Sequence, residues 1–220
     1  MLKHSSLAAL ALAVAGSFGG AHMAFAAEGG ATAAAQEVAA PAEAKKVEVK
    51  DMVLGQESAP VTLIEYASYT CPHCASFNEN VMQSLKKDYI DTGKVKLVYR
   101  EVFFDRYGLW GAMVARCGGD MRYFGIQDVL YKTQKDWAAG DNPGAVVDAL
   151  KKIGRQAGMD DKTLDACLQD GATAQALVDH YEANMKEYDI KGTPTLVING
   201  KVHSNMSYAD LKEVLDAELK

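Results

Sequence analysis

The stretch YASYTCPHCASF, residues 66–77, decides the fold, because its two cysteines stand where an apolar strand pattern gives way to a helical one. The residues VTLIEYASY (61–69) are β-branched and aromatic, which predicts a buried strand. Apolar residues then recur at helical spacing and predict a helix over 72–90. Proline is well tolerated at a first helical position, so Cys71 is expected at the N-terminus of this helix.

The rest of the chain predicts a helical block enclosed by strands. KVKLVYREV (94–102) alternates like a second strand, expected to lie parallel to the first. Four or five helices are expected between about residues 108 and 186. TPTLVINGKVHS (193–204) predicts a hairpin that turns at its Asn-Gly pair, and Ser207 is expected to cap a last helix that ends near residue 219. The fold class is therefore α/β with a helical insertion.

Residues 1–26 have the pattern of a secretory signal peptide. Lys3 gives a positive start, an apolar run covers about 7–14, and Ala24 and Ala26 fit the A-x-A cleavage pattern. An uncleaved membrane anchor is the alternative, but the run is short and glycines interrupt it. We expect export to the periplasm or cell envelope.

Residues 27–50, AEGGATAAAQEVAAPAEAKKVEVK, predict a flexible spacer with no core of its own. A transient helix is the alternative, because alanine favours helix. Cleavage after residue 26 removes one of 23 basic side chains and leaves 22 against 29 acidic ones, a net charge of −7 with neutral histidines. That charge argues against a general nucleic-acid or anionic-membrane binder.

The pair Cys71 and Cys74 fits three uses: a metal site, a structural disulfide or a redox centre. Structural zinc needs four ligands, usually as two close pairs, and the other cysteines, Cys117 and Cys167, are far apart in sequence. A structural disulfide closing so small a loop would constrain the unfolded chain little. Both alternatives explain less than redox chemistry does.

The redox interpretation follows from the helix N-terminus. Unpaired N–H groups and the positive end of the helix dipole stabilise a thiolate at Cys71, and His73 adds to this when protonated or donating a hydrogen bond. Cys71, just before Pro72, is expected to be the exposed nucleophile, and Cys74 the buried resolving thiol. Because a low thiol pKa favours the dithiol over the disulfide, the disulfide is expected to oxidise client thiols.

Two further features are candidates for the same site. Glu65 lies in the apolar strand, six residues before Cys71, and is either an edge residue facing solvent or a buried carboxyl that relays a proton to or from Cys74. GTPT (192–195) directly precedes a predicted strand, where proline is ordinary on steric grounds. A cis bond before Pro194 would instead offer backbone groups to a client peptide pairing as an added strand.

CPHC after a strand, with GTPT more than a hundred residues later, resembles the DsbA-like thiol:disulfide oxidoreductases. The resemblance covers about residues 53–219. It implies a thioredoxin fold built from residues 51–105 and 188–220, with an inserted helical domain at 106–187. The sequence KVHSNMSYAD (201–210) departs from the family, many members of which have a glycine turn there.

The resemblance also implies roles for individual residues. Cys71 would be the attacking cysteine, Cys74 the resolving one, Pro194 the cis-proline and Thr193 the residue that contacts Cys71, while Glu65 falls where the family carries a buried acid. The family implies reoxidation by a quinone-linked membrane partner in the bacterial envelope. The redox-active disulfide would need no cofactor or metal.

Cys117 and Cys167 both fall in helical stretches of the insertion. Free buried cysteines are one interpretation. A disulfide between two helices is favoured in an oxidising compartment, would close a loop of about 50 residues and would contribute roughly 4 kcal/mol on the chain-entropy model. Some relatives carry a second disulfide in this domain, which supports the pairing.

The sequence thus predicts an exported enzyme that introduces disulfides into reduced or unfolded client proteins. A disulfide isomerase or reductase of the same fold is the nearest alternative. Such enzymes usually dimerise, and residues 27–50 offer no dimerisation domain, so we expect a monomer. A peptide-binding chaperone with an incidental CxxC is the alternative from another class.

Overall fold

The structure is a computed structural model that describes residues 47–140 and 142–220. The expected signal peptide (1–26) and residues 27–46 of the expected spacer lie outside the described residues. Within the described part, five strands form one sheet in the order β1-β3-β2-β4-β5. Their bounds are β1 Met52–Leu54, β2 Val61–Ala67, β3 Val95–Glu101, β4 Thr195–Ile198 and β5 Lys201–Ser204.

Strand β2 occupies the centre of the sheet. It pairs in parallel with β3, with Leu63 opposite Leu97, and antiparallel with β4, with Leu63 opposite Ile198. The predicted strands at 61–69 and 94–102 are thus confirmed, although each is slightly shorter in the structure. Their parallel arrangement, expected of a strand–helix–strand unit, is also confirmed.

A nearly continuous helical segment joins β2 to β3, as predicted. It comprises α1 (Pro72–Phe77), a π-helical stretch (Asn78–Met82), α2 (Gln83–Leu85) and a second π-helical stretch (Lys86–Ile90). The chain then turns at Gly93, whose φ of 73° suits a residue without a Cβ.

Six helices follow β3 in the described residues, where four or five were predicted. They are α3 Arg106–Cys117, α4 Asp120–Lys132, α5 Gln134–Trp137, α6 Pro143–Gln156, α7 Asp161–Leu168 and α8 Gly171–Glu187. The difference arises at Thr133, whose φ of −107° and ψ of 14° are not helical. A stretch with the pattern of one helix therefore forms two, α4 and α5. The first helix begins at Arg106 because the Asp105 carboxylate caps it, accepting from the backbone N–H of Tyr107 and Gly108.

The C-terminal elements also follow the prediction. Asn199 and Gly200 both have positive φ, 47° and 82°, and connect β4 to β5 as a hairpin. Ser207 accepts from the backbone N–H of Asp210 and caps α9, Tyr208–Glu218. Residues 201–210, noted above as different from many DsbA-like proteins, form β5 and the start of α9.

Strand β1 was missed from the sequence. It has three residues and pairs antiparallel with β3, with Val53 opposite Val98. A strand this short carries no usable periodic signal, and only the edge of β3 determines its conformation.

The apolar core lies on both faces of the sheet. On one face, Leu63 and Leu97 pack with side chains of the helical segment 72–90 and of α9. Tyr99 lies on the same face as Leu97 and, with Tyr69, packs against the inserted helices. On the other face, a separate cluster packs against α8: Ile64, Val98 and Val197. Cys71 lies where the sheet, its first helix and the inserted helices meet.

Within residues 47–140 and 142–220, no helix is long and apolar enough to cross a membrane.

A disulfide joins Cys117 of α3 to Cys167 of α7, with an S–S distance of 2.08 Å and a Cα–Cα distance of 6.0 Å. It links two helices of the insertion across 50 residues of sequence.

Candidate active site

Cys71 occupies the N-cap position of α1. Its backbone is extended, with φ of −84° and ψ of 118°, and Pro72 is the first helical residue. The Cys71 N–H donates to the Ser68 carbonyl at 3.1 Å, while the Cys71 carbonyl accepts from the N–H of Cys74 and Ala75. The strand end and the proline together place the thiol where the first free N–H groups of the helix lie.

The loop before β4 reaches the same thiol. The Thr193–Pro194 peptide bond is cis. The Cys71 Sγ donates to the Thr193 carbonyl oxygen at 3.5 Å, across 122 residues of sequence. The Thr193 hydroxyl is buried without a hydrogen-bond partner among the described residues, so its proton is available to a Cys71 thiolate. The structure therefore brings Cys71, Cys74, Thr193 and Pro194 together.

The surroundings of Cys71 favour its thiolate. A hydrogen bond from the Cys74 thiol is the main cause that lowers the pKa of Cys71 to about 5, from an ordinary value of 9.0. The Thr193 side chain and the backbone N–H groups of Cys74 and His73 act in the same direction, while partial burial opposes them. Hydrogen bonds to the charged form thus outweigh desolvation.

Cys74 has the opposite character. Its side chain is fully buried, and both residues carry free thiols in this structure. The hydrogen bond to Cys71, followed by burial, raises the pKa of Cys74. One thiol of the pair is therefore a stable anion at neutral pH, and the other remains protonated.

Glu65 is buried in the central strand, and the solvent-facing alternative is wrong. It lies between Tyr99 of β3 and Leu196 of β4 and is 1% exposed. Desolvation raises the pKa of Glu65 to about 8, and its Oε2 has no hydrogen-bond partner among the described residues. A carboxyl of this kind holds its proton at neutral pH.

A group of buried tyrosines, which the sequence analysis missed, surrounds this region: Tyr69, Tyr99, Tyr123 and Tyr131. Burial is the main cause that raises the pKa of each, and the ionised forms of Glu65 and Cys74 would raise the pKa of both Tyr99 and Tyr131 further. Glu65 and Cys74 therefore share one low-dielectric neighbourhood. Aromatic residues in the helices were expected only as a packing face.

Polar contacts from the insertion complete the surroundings, and none was foreseen. Gln134 donates to the backbone carbonyls of Tyr69 and Cys71. Arg116 forms a two-point ion pair with the buried Glu101, which also accepts from the Tyr123 hydroxyl. A single polar residue in a helical pattern gives no sequence signal for such contacts.

His73 lies on the exposed surface of α1, with its side chain in solvent. Its backbone N–H contributes to the low pKa of Cys71, and the role expected for its imidazole stays a prediction. Among the described residues, no three His, Cys, Asp or Glu side chains are grouped closely enough to hold a metal ion.

The family is shown by comparison with known proteins. The family model described as Thioredoxin matches residues 47–217. A Rickettsia bellii protein named as a candidate protein-disulfide oxidoreductase is 30% identical over 80% of this chain and 67% of its own length. Disulfide bond formation protein D of Bacillus subtilis is 29% identical over 76% of this chain and 77% of its own length.

A solved structure gives the same result. The crystal structure of Wolbachia pipientis alpha-DsbA1 matches with a TM-score of 0.70 and 26% identity, covering 77% of this chain and 90% of that one. The chain belongs to the thioredoxin family. Within that family it is a DsbA-like thiol:disulfide oxidoreductase, with a thioredoxin fold and a helical insertion. The fold class and the enzyme class predicted from the sequence are confirmed.

Proposed function

We propose that this oxidoreductase is an exported disulfide donor, which oxidises the thiols of reduced client proteins through Cys71 and Cys74. The observation that carries the proposal is the contrast between the two thiols, with the pKa of Cys71 lowered to about 5 and that of Cys74 raised. The redox equivalents reside in the cysteine pair itself, so the proposal includes no metal or separate cofactor.

The first step opens the Cys71–Cys74 disulfide. A client thiolate attacks the Cys71 sulfur, the S–S bond breaks, and a mixed disulfide joins the client to Cys71. Cys74 leaves as a thiolate in a buried site that disfavours its charge. Glu65, protonated at neutral pH and in the same neighbourhood, is the proposed source of the proton that neutralises Cys74.

The second step releases the oxidised client. A second client thiolate attacks the client sulfur of the mixed disulfide, and Cys71 leaves with the bonding electron pair. The low pKa of Cys71 makes it a good leaving group. The enzyme disulfide and the client dithiol are thus converted to enzyme dithiol and client disulfide, with two electrons passing to the enzyme.

The direction of exchange follows from the stability of the Cys71 thiolate. At pH 7, a pKa of about 5 instead of 9.0 favours the reduced enzyme by up to about 2.7 kcal/mol. This corresponds to about 60 mV for a two-electron couple. Because Cys71 is only half-buried, solvent screening reduces the figure, and about half of it is a reasonable expectation. The sign favours client oxidation over reduction.

A cleft beside the cysteines offers room for a client segment. It has a volume of about 690 Å³ and opens next to Pro72, between α1 and the helices α4 and α5. Lys135, Glu79 and Gln83 are among its lining residues. This volume is within the range of about 300–1,000 Å³ that is typical of ligand sites.

The remaining parts of the proposal concern partners and location. We propose reoxidation by a quinone-linked membrane enzyme, action as a monomer in the periplasm or cell envelope, and no role for nucleic acid. The pattern of residues 1–26 supports export. If it is a cleaved signal peptide, mass spectrometry of the envelope protein will show an N-terminus at Ala27, whereas an intact segment would contradict cleavage.

Refolding of a reduced, unfolded client tests the activity. Wild-type enzyme in its disulfide form is expected to transfer one disulfide per molecule, and Cys71→Ser is expected to transfer none. Cys74→Ser, with Cys71 held as a mixed disulfide with a small thiol, is expected to form a client–Cys71 mixed disulfide when a client thiolate attacks the Cys71 sulfur and the small thiol leaves. The Cys117→Ser/Cys167→Ser double variant serves as the control and should retain transfer. Activity that persists in Cys71→Ser would point instead to a peptide-binding chaperone.

A further inference from the structure

Gln134 connects the helical insertion to the turn that carries the reactive cysteine. It is the first residue of α5, and its side chain is buried, with 7% exposed. Its Nε2 lies 2.8 Å from the Tyr69 carbonyl oxygen and 3.0 Å from that of Cys71. Carbonyl oxygens only accept hydrogen bonds, so chemistry fixes the orientation of the amide, with both of its N–H groups directed at this turn.

The Cys71 carbonyl is itself part of the site. It accepts from the N–H of Cys74 at 3.1 Å and of Ala75 at 3.2 Å, the first hydrogen bonds of α1. Gln134 is a third donor to the same oxygen. It therefore holds the carbonyl at the helix N-terminus and offsets part of the negative charge on an oxygen close to the Cys71 sulfur.

The helix that carries Gln134 is firmly anchored in the insertion. Trp137, at the other end of α5, is 2% exposed and donates from its indole N–H to the Leu130 carbonyl at 2.8 Å. A Cβ at Gly111 of α3 would meet both the Trp137 and Tyr69 side chains at 3.4 Å, which shows how closely α3, α5 and the active-site turn pack. The position of Gln134 is thus set by the insertion and not by the turn.

We propose that Gln134 is a positioning residue through which the helical insertion increases the reactivity of Cys71. By fixing the Tyr69 and Cys71 carbonyls, it keeps the N–H of His73 directed at the Cys71 sulfur and that of Cys74 shared between this sulfur and the Cys71 carbonyl oxygen. The inference rests on the thiol–disulfide exchange proposed above, and it assigns to the insertion a direct effect on that chemistry.

Two variants of Gln134 test the inference. Gln134→Met keeps the length of the side chain and removes both donors. Gln134→Leu also removes both donors and adds no charge, so a change of similar size in the same direction is expected. For Gln134→Met, the Cys71 pKa, followed by thiolate absorbance, is expected to rise by about one unit, which is about tenfold in the ratio of thiolate to thiol.

The redox equilibrium should change with the pKa. In the reaction of protein disulfide with two glutathione thiols to give protein dithiol and glutathione disulfide, we expect about a tenfold shift towards the protein disulfide at pH 7. Gln127→Met is the matched control. Gln127 lies in α4, is 3% exposed, and its Nε2 has no hydrogen-bond partner among the described residues. This variant is expected to change Tm without changing the Cys71 pKa or the equilibrium.

The inference is overturned if a folded Gln134 variant keeps the wild-type Cys71 pKa and equilibrium, or if Gln127→Met shifts them equally. If Gln134→Met does not fold, Gln134→Leu decides the question. The absolute wild-type equilibrium tests the proposed disulfide donor, whereas the difference between variants tests Gln134. If the wild type is only weakly oxidising but the Gln134 variants still change the Cys71 pKa and the glutathione equilibrium, only the donor proposal is refuted.

Discussion

Replacing Glu65 by glutamine is expected to remove the pH dependence of stability that this carboxyl introduces. In the folded protein, desolvation raises the pKa of Glu65 to about 8, from an ordinary value of 4.5. Between these values the folded chain holds a proton that the unfolded chain has released. Stability therefore decreases as the pH rises, because the native state binds more protons than the unfolded state does.

The magnitude follows from the two pKa values. One pKa unit is equivalent to about 1.4 kcal/mol, so this side chain is expected to reduce the free energy of unfolding by up to about 5 kcal/mol between pH 4 and pH 9. The contribution is fully favourable below pH 4.5 and is lost as the pH rises through 8. Glutamine does not titrate, so Glu65→Gln lacks this slope, whatever constant cost its buried amide adds.

Urea denaturation at a series of pH values between 4 and 9 measures the effect. Wild type and Glu65→Gln are compared in the oxidised form, so that Cys71 and Cys74 do not titrate. The exposed Glu79→Gln is the control and should follow wild type. A Glu65→Gln variant whose stability falls with pH as steeply as wild type would refute a protonated, buried Glu65.

Two further predictions concern the insertion. The Cys117→Ser/Cys167→Ser variant is expected to lose up to about 4 kcal/mol of stability, because a crosslink across 50 residues restricts the unfolded chain; denaturant titration measures this, and an unchanged midpoint would contradict it. Arg116→Met is expected to cost about 3–5 kcal/mol, because it leaves the buried Glu101 without its partner. Lys132 forms an exposed ion pair with Asp128 one helical turn earlier, and Lys132→Met is expected to change stability by less than about 1 kcal/mol. Equal losses of stability in Arg116→Met and Lys132→Met would contradict the prediction.

The position of Cys71 could be predicted because its signals are local. An apolar strand pattern followed by Cys-Pro specifies a strand that ends and a helix that begins with proline, and the structure has both. The hairpin at Asn199–Gly200 was predictable for the same reason, since both residues adopt positive φ. In each case a few neighbouring residues determine the conformation.

The environment of Glu65 could not be decided from the sequence. Its burial depends on β2 being flanked by both β3 and β4, and β4 comes more than a hundred residues later. The contacts of Gln134 depend similarly on a break at Thr133, which directs α5 towards the active-site turn. Such features arise from tertiary packing, which local patterns do not encode.

The measurement that tests the central claim most directly is the redox potential of Cys71–Cys74 against glutathione at pH 7, followed by thiol trapping. The stabilised Cys71 thiolate predicts a value more oxidising than that of thioredoxin, which lies near −270 mV, on a scale where DsbA lies near −120 mV. A value close to that of thioredoxin would contradict the disulfide-donor account and indicate a reductase.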